Sequence, residues 1–314
     1  MIVFGPVPSR RLGQSLGINN IPPKHCTYSC IYCQLGKTPR RVIERTRFYD
    51  PEEIARQVEA RLEAAEKKAE AIDILTLVPD GEPTLDLNLG RTIGLLKGLG
   101  KRIGAISNAS LLWREDVRTD LEGLDWISLK IDTASQEVWQ RVNRPHPDLK
   151  LDQVLEGVAD FSHHFRGELV TETMLVKDIN TAADGLAKAA SFIAGLAPQT
   201  SYLSVPTRPP AERIVAVPSE EMVNTAYHTF AERSLAVECL LGYEGNAFAF
   251  TGNVEEDLLS ITAVHPMRAD AVDILLAKAG SDWAVVEKLI DDGRMVELTY
   301  RGRRFYMRRL CAPR

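Results

Sequence analysis

The stretch KHCTYSCIYCQLG, residues 24–36, packs three of the chain's five cysteines into one short run: Cys26, Cys30 and Cys33, spaced C-x3-C-x2-C. No fourth cysteine lies near them, so three thiolates converge on a site whose fourth position has no cysteine. Zinc knuckles also use closely spaced cysteines, and His25 offers a fourth ligand, but structural zinc takes four protein ligands. Electron-transfer ferredoxins use a different run and close their cluster with a fourth cysteine. The spacing best suits a 4Fe-4S cluster with one iron left open for a substrate or cofactor.

The rest of the chain suits a reducing compartment. Three of the five cysteines are clustered, which does not read as a disulfide scaffold. The opening MIVFGPVPSRRLG lacks the order of a secretion signal, and no apolar run has membrane-spanning length, so a cytoplasmic protein without a membrane partner is expected. A formal charge of −5, from 38 basic and 43 acidic residues, does not announce a nucleic-acid binder. With 314 residues and 45% hydrophobic content, the chain can form one large domain and a small one.

Apolar, β-rich runs alternate with helical stretches. Strands are expected at 72–78, 102–108, 125–132, 168–176, 201–206 and 237–241. Helices are expected from Pro51 onward and near 87–98, 135–141, 151–162, 182–195 and 218–232. Repeated βα order predicts an α/β fold with a parallel sheet and helices outside it. In such barrels the chemistry lies at the carboxyl ends of the strands.

Several of those ends are polar. The first carries Asp80, Gly81 and Glu82, where a glycine lets backbone approach a ligand, or where Pro83 and Thr84 simply open a helix. The second ends in Ser107, Asn108 and Ala109. The third places Ser128, Lys130 and Asp132 on one face, to meet a polar ligand or to form an internal Lys130–Asp132 ion pair. Glu172 interrupts an apolar run, and Arg144, Lys177 and Asn180 add a polar rim.

On these residues the chain resembles the radical SAM superfamily, whose signature is CxxxCxxC with an aromatic before the last cysteine, as Tyr32 stands here. The resemblance implies a partial parallel (β/α)6 barrel. It also implies that the open iron chelates S-adenosylmethionine (SAM), which is cleaved to a 5′-deoxyadenosyl radical with an electron from an external donor such as flavodoxin or ferredoxin. By the same resemblance Tyr32 lies near the adenine and the Gly81–Glu82 loop holds the methionine amino group. Ser107, Asn108, Lys130, Asp132 and Glu172 complete the SAM-binding set. The runs GPVPSRRLGQSLGIN (5–19), ETMLVKDIN (172–180), SVPTRPP (204–210) and LLGYEGNAF (240–248) resemble a subgroup related to the wyosine-forming tRNA enzymes. Those enzymes carry further cysteines ahead of the motif for a second cluster. None precedes Cys26 here, so neither that cluster nor the tricyclic-base reaction is expected.

From about Ser260 the pattern reads helix, turn, helix, then a hairpin with Arg301-Gly302 at its tip, with Ser281 or Asp282 capping the second helix and Gly293 stopping it. This resembles a winged helix and divides the chain into a domain at 1–255 and a module at 260–314. Arg301, Arg303, Arg304, Arg308 and Arg309 interleave with Tyr300, Phe305 and Tyr306, a composition for RNA phosphates and bases, for a peptide, or for a hairpin packed on the barrel. Cys239 reads as a packed small hydrophobe or as a thiol near the radical, and Cys311 receives no role. The expected function is hydrogen abstraction from a macromolecule, RNA or protein, by a radical SAM enzyme. The alternative is a cluster-bearing redox regulator that binds nucleic acid through the wing.

Overall fold

The structure is a computed structural model that describes residues 2–241, 250, 252–264 and 266–309. Residues 242–248 of the LLGYEGNAF run, and Cys311, lie outside the described residues. A hairpin of β1 (Val3–Ser9) and β2 (Gly13–Ile18) opens the fold. Then follow α1 (Pro51–Lys67), β3 (Ile74–Leu77), α2 (Leu89–Lys97), β4 (Arg102–Ser107), α3 (Glu115–Leu121), β5 (Trp126–Lys130), α4 (Gln136–Val142) and α5 (Leu151–His164). The sheet is completed by β6 (Glu168–Met174), α6 (Ala183–Gly195), β7 (Thr200–Ser204), α7 (Glu220–Ala231) and β8 (Val237–Leu240). Its order is β1 to β8 in sequence, with β2 to β8 all parallel and β1 antiparallel at the edge.

Alternation along each strand sorts its side chains into two layers. On β3, Leu75 and Leu77 join the large outer core under the helices, while Ile74 faces inward with Trp126, Val170, Tyr202 and Leu240. Leu12, from the turn between β1 and β2, packs on that inner group, so the sheet curls until its first turn closes the floor beneath β5 to β8. The helices form for local reasons as well. On α1, Asp50 accepts from the Glu52 amide at 3.3 Å, Pro51 begins the helix, and Ile54, Val58 and Ala65 bury one stripe.

All six strands expected from the sequence form. The β1–β2 hairpin was not anticipated, and with it the first parallel strand, β2, runs directly into the cysteine loop. The C-terminal segment also differs from the sequence reading. The run expected to be one helix is split before Pro266, which cannot continue a helix, into α8 (Val254–Val264), the short β9 (Met267–Arg268) and α9 (Ala269–Ala279). Then come α10 (Ala284–Asp291), β10 (Met295–Tyr300) and β11 (Arg303–Arg308), in a three-stranded sheet ordered β10-β11-β9. The Asp282 carboxylate accepts from the Ala284 amide at 3.0 Å, and Gly293 ends α10 at φ +67°. Arg301 and Gly302 both take positive φ, as a two-residue hairpin turn requires. Leu258 and Ile261 of α8 share a core with Val272, Leu276, Leu289, Met295 and Tyr306, and Val7 of β1 packs against it. Among the described residues no helix is long and apolar enough to cross a membrane.

Candidate active site

At the carboxyl ends of the parallel strands a cavity of about 360 Å³ opens, and Cys26, Cys30 and Cys33 all line it. Their loop is pinned on both sides. The Ile31 amide donates to Val142 O, and the Glu82 amide to His25 O, both at 2.9 Å. The second of these contacts explains Gly81: a Cβ there would lie 1.9 Å from His25 O. The close approach that demands glycine is therefore made by the cysteine loop itself and not by a ligand. His25 turns away from the thiols, its ring 5.0 Å from that of Phe48 and its Nδ1 3.3 Å from Pro22 O.

Glu82 is buried at 1% exposure, and its carboxylate is occupied. Oε1 accepts from Thr84 Oγ1 at 2.6 Å, from Ser107 Oγ at 2.7 Å and from the Thr84 amide at 3.2 Å; Oε2 accepts from the Asn108 amide at 2.8 Å. Burial raises its pKa, against the pull of these donors. The Glu82 side chain, expected as a SAM contact, braces the β3 loop against the β4 loop, and both loops line the cavity. Ser107 is likewise engaged, donating to Glu82 and accepting from the Ala109 amide at 3.0 Å.

Deeper in the lumen, Lys130 Nζ donates to Glu172 Oε1 at 2.8 Å, and Arg11 Nη1 reaches Glu172 Oε2 at 2.7 Å from the β1–β2 turn. Arg11 is also within 3.3 Å of Ser128 Oγ, with its guanidinium over the rings of Trp126 and Tyr202. Burial would raise Glu172, but the two cations overcome it and hold its carboxyl well below the usual range. Burial works against the Lys130 charge as well, yet Glu172 and Asp132 raise its pKa, so Lys130 stays an ammonium. The ion-pair partner of Lys130 is thus Glu172 rather than Asp132, and Glu172, expected as a SAM contact, lines the cavity while paired with two cations.

Asp132 is occupied too. Oδ2 accepts from Tyr32 OH at 2.5 Å and Asn143 Nδ2 at 2.6 Å, and Oδ1 from the Met174 amide at 2.9 Å. It holds the Tyr32 ring in place, and Lys130 Nζ lies 5.6 Å from that ring's centroid. Asn108 Nδ2 lies 3.5 Å from Cys26 Sγ, and Asn143 Nδ2 3.5 Å from Cys30 Sγ.

Of the expected rim residues, Lys177 is exposed. Asn180 is buried and donates to Asp132 O and Met174 O, while Arg144 pairs with Glu212 at 2.5 Å. The Lys177 amide donates to Ala216 O. Cys239 packs on the outer core under the helices, as the reading of a packed small hydrophobe has it, while its neighbour Leu240 lines the cavity. Arg11 and Asn143 were not singled out from the sequence. Asn143 sits at the end of α4, and only the fold brings it to a cysteine 113 residues away.

Among the described residues no group of three or more His, Cys, Asp and Glu side chains is arranged to hold one metal ion. Burial, reinforced by Glu82, pushes the Cys26 thiol up to about 12, so thiolate ligation there needs the compensating charge of a bound metal.

Comparison with known proteins agrees. The sequence model of the Radical SAM superfamily matches residues 20–188. A UPF0026 protein of Methanocaldococcus jannaschii is 44% identical over 98% of this chain and 96% of its own length. A UPF0026 protein of Helicobacter pylori is 30% identical over 88% of each chain. Among solved structures, TYW1 with a lysine-pyruvate adduct bound superposes with a TM-score of 0.55 at 14% identity, over 71% of this chain and 75% of its own, a likeness of fold.

Proposed function

The chain belongs to the radical SAM superfamily, and from that premise we propose an enzyme that holds one 4Fe-4S cluster on Cys26, Cys30 and Cys33, binds SAM beside it, and abstracts hydrogen from a macromolecular substrate, RNA or polypeptide. The observation that carries this reading is the convergence of three cysteines from one loop on a cavity at the carboxyl ends of seven parallel strands. A redox regulator would have no use for that cavity. When bound, the cluster and SAM supply the one-electron chemistry; the chain's own residues position and enclose it.

The Lys130 side chain is 22% exposed and lines the cavity, and its ammonium suits a carboxylate such as that of SAM. The β3 and β4 loops, locked together by Glu82, offer backbone polar groups beside the cysteines. Tyr32, fixed by Asp132, presents a ring to the same space. Phe4, Val7, Ile106, Met174 and Leu240 form an apolar wall that keeps water from a reactive radical.

Substrate delivery is assigned to the C-terminal module, read as a winged helix over residues 260–314. Tyr300 at the end of β10 donates to Pro206 O at 3.0 Å, and Pro206 lines the cavity. The exposed Arg301, Arg303 and Arg304 therefore lie at the tip of a hairpin, and that tip reaches the cavity rim. An electron donor such as flavodoxin or ferredoxin completes the system. Anaerobic protein given dithionite and SAM should release 5′-deoxyadenosine and methionine, and should cease to do so in Cys30→Ala. Release that persists in that variant would refute the proposal. Crosslinking of anaerobically isolated protein then decides between RNA and polypeptide.

A further inference from the structure

Two asparagines from different parts of the chain each aim an amide at a different cysteine sulfur. Asn108 follows β4 and Asn143 ends α4, and their Nδ2 atoms lie 3.5 Å from Cys26 Sγ and Cys30 Sγ. Which way each amide faces is fixed by its other partners. Asn108 Oδ1 accepts from the Ser110 amide at 3.0 Å, leaving Nδ2 to donate to Thr27 Oγ1 at 2.8 Å and to sulfur. Asn143 Nδ2 lies 2.6 Å from an Asp132 carboxylate oxygen, which only a donor tolerates, and its second N–H is left for Cys30. Asp132 is itself fixed by Tyr32 and the Met174 amide, so the Asn143 donor cannot turn away without breaking a buried cluster of bonds.

We propose that Asn108 and Asn143 are positioning residues that raise the reduction potential of the cluster, an inference that rests on the reading of Cys26, Cys30 and Cys33 as its ligands. Reduction adds one electron, and its charge is spread partly onto the ligand sulfurs. An N–H aimed at a ligand sulfur is therefore a stronger hydrogen bond in the reduced state than in the oxidised one, and the difference favours reduction. The substrate cavity brings the need for this device. Phe4, Val7, Ile106 and Leu240 make part of its wall apolar, and a poorly polar surrounding disfavours the extra negative charge. Asn108 and Asn143 supply compensating dipoles where water is excluded.

The test is an EPR-monitored redox titration of reconstituted protein, with iron and sulfide counted in every sample. Asn108→Ala and Asn143→Leu should each hold a full cluster and lower the reduced-to-oxidised ratio at fixed potential by about three- to tenfold, a downward shift of about 30 to 60 mV at 59 mV per tenfold for one electron. Their combination should shift further than either. Because Asn143→Leu also removes a bond to Asp132, Asn143→Ser is run beside it. Serine is too short to reach the sulfur but can still donate locally, and it should shift the potential in the same direction. Potentials that stay at the parent value in fully loaded single variants, or that rise, overturn the proposal. Parent protein that takes up no cluster at all overturns the ligand reading instead, and the two failures are told apart by the iron and sulfide count.

Discussion

Glu82 offers the sharpest separation of a brace from a ligand. Replacing it with alanine removes the acceptor for the Asn108 and Thr84 amides and for two hydroxyls, all buried or nearly so. Ser107 and Thr84 can turn their hydroxyls to other acceptors, but the two backbone N–H groups cannot, and each unsatisfied buried donor costs about 1 to 3 kcal/mol. Glu82→Ala should therefore lose about 2 to 6 kcal/mol of stability, and SAM affinity should fall as a consequence of a displaced loop. Glu82→Gln should behave differently. Its carbonyl oxygen can still accept from the Asn108 amide while its NH2 donates to the two hydroxyls, leaving only the 3.2 Å Thr84 bond unmade. Its cost should be about 1 to 2 kcal/mol, with SAM affinity within about threefold of the parent, since one neutral hydrogen bond is worth about 1 kcal/mol net. Urea denaturation under anaerobic conditions measures the first quantity, and equilibrium dialysis with labelled SAM the second. A stable Glu82→Gln protein that loses SAM affinity ten- to a hundredfold would mean that the carboxylate meets SAM directly, and the bracing role would be wrong.

Removing the Glu172 carboxylate strands two cations in the lumen, so Glu172→Ala should cost about 3 to 5 kcal/mol by urea denaturation, and Arg11→Met combined with Glu172→Ala less than the sum of the single changes; additive losses would show that the three groups are not coupled. Asp86 is fully buried, and burial raises its pKa to about 6 from an ordinary 3.8. The native state thus binds more protons than the unfolded chain between about pH 4 and 6, and stability falls as pH rises through that window. Asp86→Asn should gain up to about 3 kcal/mol at pH 7.5, less the 3.3 Å bond from Asn20, and the gain should vanish near pH 4; a gain that does not change with pH would refute the assignment. If the partner is RNA, replacing Arg303 and Arg304 together should flatten the log-log salt dependence of binding by up to about 1.8. An unchanged slope would remove the hairpin from the interface.

The helices and parallel strands were legible because their pattern is local: α1 has its Asp50 cap and buried stripe, and β3 has an apolar run broken only by Thr76. The three cysteines were legible for the same reason. What could not be read was what the barrel brings together over long separations. Lys130 ends β5 and Asp132 follows two residues later, a spacing that suggested a pair. The fold gives Lys130 to Glu172 on the neighbouring strand, where the register sets the two side by side, and it delivers Arg11 from beneath the floor. Glu82 and Gly81 were noticed in the right place for a different reason. The contact that requires glycine is with His25, 56 positions away in sequence, and nothing local marks it. Pro266 breaks the helix, but the apolar residues on both sides of it continue the helical spacing and hide the break.

The central claim is that Cys26, Cys30 and Cys33 hold one cluster with an iron open to SAM. The most direct test is the EPR spectrum of anaerobically reconstituted protein, reduced with dithionite before and after SAM is added, read beside its iron and sulfide content. About four irons and four sulfides per chain, with a reduced-cluster signal whose g-values move on addition of SAM, is the predicted result. Stoichiometric zinc without sulfide, or a cluster signal that SAM leaves unchanged, would contradict it.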